Sequence, residues 1–102
     1  MDIHLTLWSL PEPPTEAALS RLMQAEDLYP YSWSNAPHDV YAAHSHTYDK
    51  VIYAVSGFIS FRLPAENRTL TLHPGDRLDL PAGTVHDAVV GSEGVVCLEA
   101  HR

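Results

Sequence analysis

Basic side chains are scarce in this chain. Six Lys and Arg stand against thirteen Asp and Glu, a formal net charge of -7. No Lys/Arg cluster offsets that balance, which argues against a phosphate-binding surface and against nucleic acid as a partner. Cysteine occurs once, at Cys97, so no internal disulfide can form. Within Val95-Val96-Cys97-Leu98 the thiol reads as buried and inert rather than nucleophilic. No apolar run approaches the roughly 20 residues needed to span a bilayer, so no membrane partner is expected. No charged-then-apolar stretch at the N-terminus marks export, and a cytoplasmic protein is the expectation.

What is present suits one packed core. Of the 102 residues 45% are apolar, an ordinary share for a single domain with no room for a second fold. After a short alternating start at Ile3, Leu5 and Leu7, the run Pro11-Glu12-Pro13-Pro14 reads as an extended connector, because proline cannot sit in a central strand. Thr15 then caps a helix running to about Asp27. Leu19, Leu22, Met23 and Leu28 lie on one face, with Glu16, Arg21, Gln24 and Glu26 outside, so this helix covers a sheet. Tyr29 to Pro37, rich in aromatics and turn formers, reads as an ordered loop or edge strand.

The rest reads as short strands: Val40 to His46, Val51 to Val55, Phe58 to Leu63, Thr69 to Leu72, Arg77 to Leu80, Val85 to Val90 and Val95 to Ala100. Ser56-Gly57, Ala65-Glu66-Asn67, Pro74-Gly75-Asp76, Pro81-Ala82-Gly83 and Gly91-Ser92-Glu93-Gly94 separate them. That spacing favours an antiparallel sandwich or barrel. Val51 to Val55 is apolar on both faces and needs cover outside as well as inside, from the helix or a second subunit. A two-fold homodimer is expected.

His44 and His46 are two apart, so on an extended strand they share a face. His86, beyond the Pro81-Ala82-Gly83 turn, can reach the same place from a neighbouring strand. Three imidazoles converging at one end of a small β-structure suit a divalent transition metal.

The set His44, His46, Lys50 and Gly57, followed by Gly75, Pro81, Gly83 and His86, resembles the two motifs of the cupin superfamily. In words, the first runs glycine, five residues, His-x-His, three or four residues, glutamate, six residues, glycine. The second runs glycine, five residues, Pro-x-Gly, two residues, histidine, three residues, asparagine. The resemblance covers roughly Val40 to Val90 and implies an all-β fold, a double-stranded β-helix or jelly-roll cupin barrel, here with one N-terminal helix. The single domain would then place an N-terminal strand, helix and loop in residues 1–38 and the barrel core in 39–102. Metal would be held inside one mouth by His44, His46 and His86. More narrowly, Tyr31-Ser32-Trp33-Ser34-Asn35 with His44-Ser45-His46 and Tyr48-Asp49-Lys50 resembles a group of small single-domain cupins with no assigned reaction.

Three positions depart from the pattern. His38 replaces the opening glycine and Val90 the closing asparagine, neither of which contacts metal in the family. Lys50 replaces the acidic ligand, and a protonated ammonium neither coordinates a metal nor tolerates one nearby. Pointing inward, Lys50 would hold an anionic small ligand or stand in for the metal. Asp49, adjacent to that position, faces the other way on a strand. Tyr48 reads as a rim residue within reach of a ligand, and Trp33 and Tyr53 as packing or interface residues. His4, His38, His73 and His101 read as structural or exposed, and Arg62, Arg77 and Asp79 as a solvated face. The expected function is a module that binds a divalent transition metal and a small ligand. Zinc, nickel, iron, manganese and copper all suit such donors. The alternatives are a metal-dependent enzyme, most simply a non-haem iron dioxygenase, and a metal-free sensing or structural cupin.

Overall fold

The computed structural model describes residues 2–102. Its elements are β1 (His4–Thr6), α1 (Glu16–Gln24), β2 (Tyr31–Asn35), β3 (Val40–His44), β4 (Lys50–Leu63), β5 (Arg68–Leu72), β6 (Arg77–Leu80) and β7 (His86–His101). All strand pairings are antiparallel, and β4 and β7 form the spine. The N-terminal half of β4 and the C-terminal half of β7 continue into β6, β1 and β2, while their other halves pair with β5 and β3. Two layers therefore share the same two long strands, which bend where the pairing shifts between Ala54 and Ser56 and again between Gly57 and Ile59.

That bend corrects the sequence reading. Ser56-Gly57 and Gly91 to Gly94 do not separate strands; each lies within one continuous strand. Gly57 (φ +70) has its α-carbon so close to the facing chain that an added Cβ would fall 1.9 Å from the carbonyl oxygen of Gly94. The chain crosses itself there, and glycine is required for backbone proximity as well as for φ. The segment Tyr31 to Asn35 is an edge strand on β7.

The interior is filled from alternate positions of the strands. Ile52, Ala54, Ile59, Phe61, Leu63, Leu72, Leu78, Leu80, Val90 and Cys97 form one buried cluster between the layers. A second cluster lies outside the barrel wall, where Leu19, Met23 and Leu28 pack on Val51, Tyr53, Leu98 and Ala100. The helix thus supplies the outer cover that Val51 to Val55 requires. It starts as expected, with Thr15 Oγ1 accepting from Ala18 N at 3.2 Å, and stops at Gln24, short of the expected Asp27, which is left-handed (φ 59). Arg77 and Asp79 do not form a solvated face. Both side chains are only 13% exposed, and Arg77 pairs with Asp79 and with Glu26 beyond the helix, tying it to β6. Arg62 does face solvent, paired with Asp87 at 2.7 Å.

Candidate metal centre

His44 closes β3 and His86 opens β7, directly opposite each other in the ladder. His46 lies two residues past the end of β3, in a loop rather than on the expected strand. Hydrogen bonds, not strand alternation, bring it in. Gly83 N donates to the carbonyl oxygen of His46 at 2.8 Å, and Ala82 N donates to Asp49 Oδ1 at 2.8 Å. The loop carrying His46 is thereby clamped to the turn that delivers His86. Pro81 and Gly83 (φ +80) shape that turn, and Asp49 caps it instead of facing the histidines.

One nitrogen from each of His44, His46 and His86 lies within 4.8 Å of the others. The imidazoles are poised by their other contacts. His44 Nδ1 lies 2.7 Å from the carbonyl oxygen of Ala42, and His86 Nδ1 lies 2.9 Å from that of Thr84. A carbonyl only accepts, so both Nδ1 atoms carry hydrogen, and in the neutral tautomer this fixes, the Nε2 atom keeps the lone pair. Lys50 Nζ, which only donates, lies 3.3 Å from His46 Nε2 and assigns that lone pair too. Burial, then the neighbouring Lys50 charge and the other imidazoles, push the His46 pKa down. Burial is also the largest cause lowering that of His86, only partly opposed by the Thr84 carbonyl. Neutral imidazoles with carbonyl-anchored Nδ1 atoms are the form that ligates metal, so the donor set fits a divalent transition ion.

Lys50 points inward, its side chain 11% exposed. Its charge is met by Glu99, a residue the sequence reading did not single out. Glu99 is 3% exposed, with Oε1 3.3 Å from Lys50 Nζ. Trp33 Nε1 donates to the same oxygen at 3.2 Å; Tyr31 hydroxyl and His101 Nε2 (2.8 Å) donate to Oε2. Burial pushes the Glu99 carboxyl up, but the bonds from Tyr31, His101 and Lys50 outweigh it and hold the group below the ordinary value. The signal for Glu99 was period-two alternation. It shares a face with Cys97, while its neighbours Leu98 and Ala100 turn outward under the helix.

These groups line a cavity of about 340 Å³, a size that suits a small molecule. The histidines and Lys50 form its polar part; Tyr31, Trp33, Tyr41, Phe61 and Ile52 form much of the remainder. Trp33 therefore belongs to the cavity wall, beyond the packing role read from the sequence. Tyr48 also lines it, ring-stacked on His101 at 3.9 Å and 5.1 Å from the His46 ring. Among the remaining histidines, His38 occupies a left-handed position (φ 64), where the motif has glycine.

Comparison with known proteins gives the architecture a name. No protein-family model matches the chain, and no curated protein matches it in sequence. Solved structures do match. A DUF861 family protein from Thermotoga maritima aligns over 99% of this chain and 100% of its own, with a TM-score of 0.64 and 15% identity. A cupin superfamily protein from Desulfitobacterium hafniense aligns over 98% of this chain and 76% of its own, with a TM-score of 0.63 and 13% identity. The polyketide cyclase RemF from Streptomyces resistomycificus aligns over 72% of this chain at a TM-score of 0.62 and 24% identity, and this chain spans 54% of its length. At these identities the likeness is one of fold. The fold is that of a small cupin, an all-β jelly-roll barrel with one helix packed on its outside.

Proposed function

We propose that the protein holds a divalent transition metal on His44, His46 and His86 and binds a small molecule in the adjoining cavity. The observation that carries this reading is the orientation of the imidazoles, with three Nε2 lone pairs free of protons beside one cavity. A bound ion would supply Lewis acidity with coordination positions left open to a ligand oxygen. The protein's own residues supply the rest. The carbonyls of Ala42 and Thr84 fix two rings, Trp33 and Phe61 give the cavity an apolar wall, and Tyr48 stands at its His46 edge. Because Glu99 meets the charge of Lys50, an anionic ligand would be drawn chiefly by the metal.

Elemental analysis of protein purified without added metal or an affinity tag tests the proposal. A near-stoichiometric transition metal is expected in the parent, with a sharp fall in a folded His86→Ala variant; unchanged stoichiometry in that variant would refute the site. One observation favours a metal-free cupin as the second reading, since Lys50 Nζ already occupies the acceptor of His46 at 3.3 Å. Absence of metal from the parent and failure to take it up on titration would select that reading. Oxygen uptake by iron-loaded protein with small acids, diketones and thiols tests for dioxygenase activity. For assembly we propose a homodimer through exposed Val40 and Val89, paired across β3 and β7 on the outer face; a monomeric mass by light scattering at micromolar concentration would refute it.

A further inference from the structure

Lys50 presents a contradiction within the site just proposed, and Glu99 resolves it. The ammonium donates to the Nε2 lone pair of His46 at 3.3 Å. An imidazole nitrogen has one lone pair, so an ion that takes this acceptor removes it from Lys50. The ammonium would then be a buried cation beside a second cation, an arrangement that ordinarily prevents metal binding. A second acceptor is already in place, however. Glu99 Oε1 lies 3.3 Å from the same Nζ. That carboxylate is held by Tyr31, Trp33 and His101, three donors from the barrel wall that do not depend on Lys50. It also pairs with a cation without moving, because its partners sit on β2 and on β7 itself.

We infer that Glu99 is a holding site for the Lys50 ammonium, so that lysine and a divalent ion exchange at the His46 Nε2 lone pair. Without metal, Lys50 bridges His46 and Glu99. With metal, it retracts onto Glu99, and the carboxylate neutralises the charge that would otherwise oppose the ion. The inference rests on the metal reading above and adds two positioning residues to it. It explains how a barrel with lysine at the place of an acidic ligand retains a usable three-imidazole site: the carboxylate is supplied from β7, one step behind the ammonium.

The test is a double-mutant cycle in zinc affinity, read by calorimetry on the parent, Lys50→Met, Glu99→Gln and Lys50→Met/Glu99→Gln proteins. Lys50→Met is expected to bind zinc about tenfold or more tighter than the parent, and Glu99→Gln about tenfold or more weaker. With lysine gone, the Glu99→Gln change is expected to alter affinity by less than about threefold. An equal loss from Glu99→Gln in both backgrounds would overturn the inference, because Glu99 would then act on the ion by its own charge or through the fold. If Glu99→Gln alone fails to fold, the comparison of parent, Lys50→Met and the double variant still decides, since a double variant much weaker than Lys50→Met is overturning. Lys50 is the chain's only lysine, so ¹⁵N labelling of lysine Nζ gives one side-chain signal. Zinc is expected to shift it in the parent to the position of an ammonium paired with carboxylate alone, and at equal zinc occupancy to a different, solvent-exchanging position in Glu99→Gln, where no carboxylate receives the ammonium; the same zinc-bound position in both proteins would overturn the inference. Zinc bound tightly with the Nζ signal unchanged overturns this inference alone. No zinc on either parent or Lys50→Met overturns the metal reading and the exchange together.

Discussion

Restoring the acidic side chain of the cupin motif, Lys50→Glu, is expected to make folding depend on metal. From the sequence, this change simply completes a three-histidine, one-carboxylate site. In the structure it also places a carboxylate against Glu99, whose side chain is 4% exposed and whose cation is Lys50 at 3.3 Å. Removing one partner of a buried pair costs about 3–5 kcal/mol. Glu99 keeps its bonds from Tyr31, Trp33 and His101, which places the loss toward the lower end of that range. At about 4–8 °C per kcal/mol for a domain of this size, the metal-free variant should melt at least about 12 °C below the parent. An ion at a thousand times its dissociation constant stabilises the folded state by about 4 kcal/mol, so metal should recover most of the deficit. Manganese or iron(II) should gain more from the change than copper, because carboxylate oxygen favours the harder ions. Thermal unfolding followed by circular dichroism, in chelator and in excess manganese, measures both effects. A metal-free Lys50→Glu melting point within about 3 °C of the parent would refute the reasoning, showing that the Lys50–Glu99 pair carries little of the barrel's stability.

Three further outcomes follow from the packing. Gly57→Ala should destabilise severely, since its Cβ would meet a backbone oxygen at 1.9 Å, whereas Gly83→Ala, with open space around it, should show only the left-handed penalty of about 1–2 kcal/mol; urea unfolding compares them. Because the Glu99 carboxyl is held below its ordinary value of 4.5, the unfolded chain binds its proton first as the solution is acidified. Its stabilisation is therefore fully present above the unfolded-state value of about 4.5 and is lost as pH falls through the lower folded-state pKa, so Glu99→Gln should flatten the fall of the parent's urea midpoint as pH drops below about 4.5. Burial pushes the Cys97 thiol up to about 12, and it should react with a disulfide reagent at neutral pH only as fast as the protein unfolds; rapid stoichiometric labelling of the native state would contradict that burial.

Much of this protein is local in its sequence, and those parts were legible. Thr15 caps its helix through a bond three residues away, the apolar face of that helix follows from its period, and the turn at Pro81 to Gly83 follows from the dihedral demands of its residues. The spacing of His44, His46 and His86 identified the imidazoles that the structure brings together. Other features depend on which chain lies opposite which. Gly57 and the stretch from Gly91 to Gly94 look like hairpin turns, but the pairing of β4 with β7 carries both long strands through a bend. Charge was decided the same way. Lys50 alone suggests a site spoiled or an anion held, and Glu99 alone is one acid among thirteen. Only the register that sets Ile52 of β4 beside Glu99, and Tyr31 of β2 on its other side, turns them into a buried pair at the floor of the cavity. Local propensity and period belong to the sequence because neighbouring residues enforce them; the neutralisation of Lys50 belongs to the tertiary structure because its partner lies 49 positions away, on another strand.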